Sequence, residues 1–338
     1  MKVLIYDHTC AYLTPGGKTT HALKLQQEIS KLGVDIQFAR WWDQSQEDAD
    51  IIHFLSADAD MAKTAKQKGM KTFFSMIFDF ESNKSERAKR YQRIKNRFID
   101  RLPYSVSKSA YWKALPYMDI VQFMHIYDKS NAFAYFPRLL REDKTVLIPH
   151  AYDPAEMNIS GHLDIREMKF PDKYLVSVAN ISPRKQTLKL AQYAKASQVP
   201  VVFMGSHRDD LYYKQFMQEV DNKYVYYPGY VSKAWRDCIE SHASGFVLLS
   251  LGESGCIAVY EAAAYHMPLL LSNKPWAWGY EHPTDIFFCD QQDSNVAIGQ
   301  LRQFYEKAEK LERPPFQIHT WAEVAEKYVD CYESILRS

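Results

Sequence analysis

Short apolar runs alternate with longer stretches in which apolar residues recur every three or four positions, and this alternation continues through most of the chain. The runs at 3–6, 34–38, 51–55, 71–78, 120–124 and 146–149 predict buried strands. The stretches at 20–32 and 58–68 predict amphipathic helices closed by Gly33 and Gly69. A polar, weakly periodic segment between Pro154 and Pro171 reads as a linker, after which strand signals resume at 174–178, 199–204, 225–227 and 246–250, each followed by a helical stretch. Strands separated by helices pair in parallel, so the pattern predicts an α/β protein with two doubly wound domains in tandem. Ligands of such sheets sit beyond the carboxyl ends of the strands, which puts the expected site in the loops that follow strands, in a cleft between the domains.

Composition agrees with that picture and narrows it. A chain of 338 residues is long enough for two cores, and 46% hydrophobic with 25% charged residues is the balance of a globular protein rather than a disordered or fibrous one. The opening apolar run meets Asp7 and His8 too early for a signal peptide, and no stretch has the length and apolarity of a membrane span. Cys10, Cys238, Cys256, Cys289 and Cys331 are odd in number and form no Cys-x-x-Cys pair, which predicts neither a disulfide framework nor a zinc ribbon and fits a reducing cytoplasm. The formal charge of +1 hides an asymmetry: residues 1–150 hold 23 Lys+Arg against 17 Asp+Glu, a balance of +6, and the remainder carries −5. The first half therefore expects an anionic partner.

The chemistry concentrates in residues 250–268. Glu253 stands in a loop after a predicted strand, and Glu261 follows about two turns into an Ala-rich helix. A strand-loop-helix junction aims backbone N–H groups and the positive end of the helix dipole at a ligand, an arrangement suited to phosphate or a polar sugar. A carboxylate beside it can accept hydrogen bonds from sugar or ribose hydroxyls. The spacing alone is equally that of a helix cap and a solvated side chain.

Taken with other elements in the same order, this stretch resembles the Glu-x-seven-Glu signature of retaining glycosyltransferases of family four (glycosyl transferases group one), whose GT-B fold has two facing Rossmann-like domains. Gly16-Gly17, ahead of a helix carrying His21, resembles the family's first glycine loop, and 50–53 its third strand. Residues 148–153 are similar to the element that ends the first domain. Ser182-Pro183-Arg184-Lys185 resembles the loop that holds the donor diphosphate, Gly229-Tyr230-Val231 the loop beside the nucleobase, and His319-Thr320-Trp321 the start of the closing helix.

The resemblance implies an acceptor domain over 1–155, a nucleotide-sugar domain over 156–318 and a helix over 319–338 returning to the first domain. It implies a donor site of Gly16, Gly17, Arg184, Lys185, Tyr230, Glu253, Ser254, Gly255, Cys256, Ile257 and Glu261. Lys185, helped by Arg184, would neutralise the diphosphate as it leaves; Glu261 would bind ribose, Glu253 the donor sugar, and the amides of 254–257 sugar and phosphate. The co-substrate would be a UDP- or GDP-linked sugar, with no metal and no other cofactor. Asp79, after the strand at 71–78 where relatives often place His or Asp, is the candidate carboxylate beside the reacting carbon; as a residue on its own it reads equally as a cap.

Three departures stand out. Ala179 occupies a position that is basic in many relatives, Ser254-Gly255-Cys256 replaces Gly-Phe-Gly, and His150-Ala151 replaces Asn-Gly.

Residues 84–101 hold Lys84, Arg87, Lys89, Arg90, Arg93, Lys95, Arg97 and Arg101 against only Glu86 and Asp100, with Tyr91, Ile94, Phe98 and Leu102 at helical spacing. That pattern predicts either a basic amphipathic helix resting on anionic lipid or a helix packed on the core with a charged outer face. Nucleic acid is the poorer partner, because no stacking platform or known binding module accompanies the charge.

Asp48-Ala49-Asp50 and Asp58-Ala59-Asp60 resemble a metal-binding Asp-x-Asp but stand where caps are common, and 207–210 reads as a turn. Trp41-Trp42, Trp276 and Trp278 could equally stack on sugars or fill a core.

The expectation is a retaining, metal-independent glycosyltransferase. It would move a sugar from a nucleotide diphosphate to a glycan or lipid-linked hydroxyl in cell-surface polysaccharide or glycolipid assembly, in the cytoplasm or peripherally on the membrane's inner face. Its rivals are a nucleotide-sugar epimerase on the same plan and a non-catalytic, membrane-associated nucleotide-sugar-binding partner.

Overall fold

The structure is a computed structural model that describes residues 1–9, 16–78, 83–103, 106–107, 110–154, 157 and 163–338. The chain forms two compact units, one of Met1–His150 with His319–Ser338 and one of Ala151–Ile318. Each is built on a six-stranded, wholly parallel sheet.

In the first unit the strands β1 (Lys2–Tyr6), β2 (Asp35–Phe38), β3 (Ile51–Phe54), β4 (Lys71–Ser75), β5 (Ile120–Phe123) and β6 (Thr145–Leu147) lie in the order β2-β1-β3-β4-β5-β6. Strand order reverses beside β1, and the helix α1 (Gly17–Lys31) follows it. One face of the sheet packs Ile52, Phe54, Phe74, Val121 and Phe123 against α2 (Ala59–Gln67) and the segment around Trp112. The opposite face meets the last helix of the chain, Trp321–Arg337, whose Trp321, Tyr328 and Tyr332 are buried. That helix opens with a capping box: Thr320 accepts from the Glu323 N–H, and the Glu323 carboxylate accepts from the Thr320 N–H.

Its buried tyrosines satisfy polar groups that the sheet presents. Tyr332 Oη lies 2.7 Å from His53 Nδ1, while His53 Nε2 lies 2.8 Å from Ser75 Oγ. Tyr328 donates to Gln122 Oε1 at 3.0 Å, and Gln122 Nε2 donates to the Ile148 carbonyl at 2.8 Å. His150, whose substitution for Asn had no account in the sequence, fills the seam between helices: its ring stands edge-on to His21 at 4.8 Å and to Trp321 at 5.9 Å.

Two further helices follow β4 and β5, α3 (Glu86–Ile99) and α4 (Ile126–Tyr135). The candidate Asp-x-Asp pairs do structural work. Asp58 caps α2 by accepting from the Met61 N–H at 2.9 Å, and Asp50 accepts from the Lys2 N–H at 2.7 Å.

In the second unit β7 (Leu175–Val178), β8 (Val201–Met204), β9 (Val225–Gly229), β10 (Gly245–Leu248), β11 (Leu269–Ser272) and β12 (Ile286–Cys289) lie in the order β12-β11-β10-β7-β8-β9. The last two strands were not among those the apolar runs predicted. Alternate residues face two cores, Val176, Val202, Phe246 and Leu269 on one side and Leu175, Val201, Val247 and Leu270 on the other. Strands buried on both faces read as continuous apolar runs rather than alternating ones. The helices α5 (Thr187–Ser197), α6 (Asp210–Met217), α7 (Lys233–His242), α8 (Ile257–Ala264) and α9 (Ser294–Lys307) complete the unit, and the terminal helix Trp321–Arg337 is α10. Asp209 caps α6 through the Tyr212 N–H at 3.0 Å, and His207 bridges to Ile181, so 207–210 leads from a bridge into a helix rather than forming the turn its sequence predicts.

Burial sets the acid behaviour of the first unit. It lowers the pKa of His53 to about 3 and those of His125 and His150 to about 4, and with neighbouring His150 and His53 it holds His21 well below the ordinary value. These rings are neutral when folded and bind protons when unfolded below pH 6.5. Their contribution to stability is therefore complete above pH 6.5 and is lost as pH falls toward 4, at about 1.4 kcal/mol per pH unit per histidine. Urea midpoints are expected to drop steeply between pH 7 and pH 5, with a shallower drop in His53→Gln; a midpoint independent of pH would contradict the burial.

Candidate functional site

Counted by position in the chain, the strands of the second unit run 3-2-1-4-5-6, and the reversal falls between β7 and β10. The connections after these two neighbours leave toward opposite sides, and the loops carrying Arg184-Lys185 and Ser250–Cys256 meet there. Their backbones are joined directly, the Leu251 N–H donating to the Arg184 carbonyl at 2.8 Å.

Local turn chemistry shapes the first loop. The Lys185 N–H donates to the Ser182 carbonyl at 3.1 Å, the Ser182 N–H to Thr187 Oγ1 at 3.2 Å, and Gln186 takes a left-handed conformation (φ 53°) to enter α5. Both bases are thereby turned onto Glu253. Lys185 Nζ lies 2.5 Å from Glu253 Oε1, Arg184 Nη1 lies 3.2 Å from Oε2, and the same Nη1 donates to the Gly252 carbonyl at 2.7 Å. Ser250 Oγ also donates to Glu253 Oε1 at 2.5 Å.

Glu253 is buried, while the Lys185 side chain is 11% and that of Arg184 44% exposed. Burial disfavours both charges of the pair. Lys185, Arg184 and the Ser250 hydroxyl nevertheless hold the Glu253 carboxyl below its usual range, and the neighbouring Cys256 and Glu253 hold the Lys185 ammonium above its own.

The second loop ends at Cys256, the residue before α8, and no side chain caps that helix. Gly255 takes φ 85°, which lets the chain turn into it. Cys256 is buried, its thiol pushed up to about 11 chiefly by burial, so it is a packing residue rather than a nucleophile.

Glu261 stands on the fifth residue of α8, little more than one turn in, because the helix begins at Ile257. It is buried and accepts from Arg236 Nη2 of α7 at 2.8 Å. Behind the pair lies Glu240, fully buried, 3.8 Å from Arg236 Nε and with no hydrogen-bond partner on either oxygen. Burial, then the Glu261 charge, raises its pKa well above the ordinary carboxylate value. Burial works against the Arg236 guanidinium, but Glu261, Glu240 and Asp237 keep its pKa raised.

The sequence reading missed Arg236. A signal was present: 236, 239, 240 and 243 share one helix face, on which Ile239 and Ala243 are core while Arg236 and Glu240 are charged.

A recess of about 130 Å³ opens beyond β7, β8 and β9, lined by Val178, Met204, Gly205, Tyr230, Val231, Lys233 and Arg236. Tyr230 stands beside it 84% exposed. Gly205 makes this end of the sheet possible, since a Cβ there would come within 2.2 Å of the Ala179 carbonyl oxygen. A larger recess of about 260 Å³, between β11, β12 and α9, contains none of these residues.

Other candidates fall elsewhere. Gly16, in extended backbone, precedes α1 and Gly17 begins it, both in the first unit. Asp79 lies outside the described residues. Trp276 is a core residue whose Nε1 donates to Ser272 Oγ at 2.9 Å, while Trp41 and Trp42 are exposed.

Residues 164–314 match the family model "Glycosyl transferases group 1". No curated protein sequence matches the chain. Among solved structures, the chain is similar to Anabaena HepE (Alr3699), solved in complex with UDP and glucose, at a TM-score of 0.69 and 13% identity over 99% of this chain and 100% of that one. It is similar to sucrose-phosphate synthase from Thermosynechococcus elongatus, also at 0.69 and 13%, over 99% and 98%. An E. coli trehalose-6-phosphate structure with bound UDP-2-fluoro glucose matches at 0.63 and 12%, over 98% and 95%. The fold is therefore GT-B.

The Lys185–Glu253 pair should be strongly coupled in stability. Lys185→Met is expected to cost about 3 kcal/mol because it strands a buried carboxylate. Adding Glu253→Gln should recover most of that loss in urea titrations; strictly additive losses would contradict the pairing.

Proposed function

We propose that this chain, a glycosyltransferase whose residues 164–314 belong to glycosyl transferases group 1, is a retaining, metal-independent enzyme acting on nucleotide diphosphate sugars. The observation that carries the reading is the convergence of Arg184 and Lys185 with the uncapped start of α8 at the strand-order reversal.

A diphosphate at that point meets two fixed cations and a helix N-terminus, so charge developing on the departing phosphate oxygen is stabilised without reorganisation. Glu253 has a double task. Its oxygens offer about four acceptor sites, and Lys185, Ser250 and Arg184 occupy three, so one remains for a donor-sugar hydroxyl. Glu261 accepts from the ribose hydroxyls, with Arg236 fixing its carboxylate, and the base enters the recess beside Tyr230. Ser254, Gly255, Cys256 and Ile257 supply backbone amides to sugar and phosphate. The nucleobase is uracil or guanine.

In the transfer, the bond between the sugar's anomeric carbon and the phosphate oxygen breaks. The acceptor oxygen bonds to the same face, and the acceptor proton passes to the departing phosphate, releasing a nucleoside diphosphate. Asp79 would orient the acceptor hydroxyl or offset oxocarbenium charge. The first unit, with Gly16 and Gly17, would bind a glycan or lipid-linked acceptor of cell-surface polysaccharide or glycolipid assembly, at the inner face of the membrane.

The test is turnover with UDP- and GDP-linked hexoses and an acceptor mixture, read by proton NMR. A glycosidic product with the donor's anomeric configuration, formed at the same rate with EDTA, is expected. An inverted product or loss of activity in EDTA contradicts retention or metal independence, and an epimerised donor without transfer contradicts the transferase reading.

A further inference from the structure

Helix α3 is turned opposite to what its sequence would give a helix packed on a core. Tyr91, Ile94 and Phe98 are 71%, 61% and 65% exposed, whereas Lys89 and Asn96 are buried. The inner face packs Ile99 at its end against the apolar core and is otherwise held by polar contacts. Lys89 Nζ pairs with Glu86 at 2.9 Å, Gln92 donates to Asn96 at 2.9 Å, and the Arg93 guanidinium lies 5.5 Å from the centre of the Tyr135 ring on α4.

The outer face then combines Tyr91, Ile94 and Phe98, one stripe at spacings of three and four, with exposed Arg87, Arg90, Lys95, Arg97 and Arg101 around it. The acids nearby are engaged: Glu86 by Lys89, and Asp100 by Trp112 Nε1 at 2.5 Å. Such a face has apolar groups to bury and cations to neutralise at one surface.

We propose that the outer face of α3 docks this protein on an anionic bilayer, with Tyr91, Ile94 and Phe98 entering the headgroup boundary and the surrounding arginines and lysine on lipid phosphates. Three apolar side chains flanked by five cations match the division of an interfacial helix, which lies in the plane of the surface. Among the described residues no helix is long and apolar enough to cross a membrane, so the contact is with one leaflet.

A second copy of the chain fits poorly, since a two-fold contact would set these cations against one another. Nucleic acid would engage the cations but leave Ile94 and its neighbours without a purpose. The inference rests on the proposed function only for the kind of acceptor, since docking brings the enzyme to hydroxyls displayed at a lipid surface.

The test is flotation of the full chain with phosphatidylcholine vesicles with and without phosphatidylglycerol, at low and high salt. Binding is expected only to the anionic vesicles, falling with salt. A variant carrying Tyr91→Ser, Ile94→Ser and Phe98→Ser should bind at least tenfold more weakly. Each of Arg87→Gln, Arg90→Gln and Arg97→Gln should cost about fivefold.

These side chains are exposed, so melting temperature and nucleotide response should stay unchanged, and the latter reports on the donor site independently. No binding to anionic vesicles, equal binding to neutral ones, or binding insensitive to the three serine substitutions would overturn the proposal. Capture by heparin or RNA without vesicle binding would do the same.

Discussion

The neighbouring strands β7 and β10 send their connections to opposite faces of the sheet, and the candidate site follows from that constraint. A parallel sheet that reverses its order must leave a gap beyond the carboxyl ends of the two central strands. Here the gap is edged by the turn into α5 and the turn into α8. Each presents backbone amides, and the bases and acids needed to hold a polar ligand come from those same turns. The Leu251–Arg184 backbone bond ties the two edges into one rigid rim.

The electrostatics of the rim are arranged in advance. Arg184 and Lys185, brought together at the rim, repel each other, and the buried Glu253 carboxylate offsets that repulsion while Ser250 satisfies a further lone pair. Five residues into α8 the arrangement recurs with the roles exchanged, as Arg236 offsets the charge of buried Glu261. Both glutamates of the signature are thus clamped by a cation. On the proposed function, a donor entering here would not need to reorder them, which is the condition for stabilising a transition state at little reorganisation cost.

Much of this was legible in the chain because it depends on local pattern. The apolar runs located most of the strands, and the Arg184-Lys185 turn and the Glu253–Glu261 spacing identified the elements that border the gap. Long-range facts were not legible. The run at 268–271 lies among other apolar residues, and only its pairing with β10 and β12 makes it a strand. Arg236 carries charge on a helix face that periodicity assigns to the core, and its partner on α8 is 25 residues away. His150 acquires meaning from Trp321, half the chain away, and the spacing of Tyr91, Ile94 and Phe98 defines a stripe without saying which way it faces.

The most direct test of the central claim is calorimetric titration of UDP and GDP into the full chain in EDTA, repeated with Lys185→Ala and Glu261→Ala. The account predicts that one nucleoside diphosphate binds without metal and that both variants, still folded, bind it at least tenfold more weakly. Binding of neither nucleotide, or unchanged affinity in both variants, would contradict it.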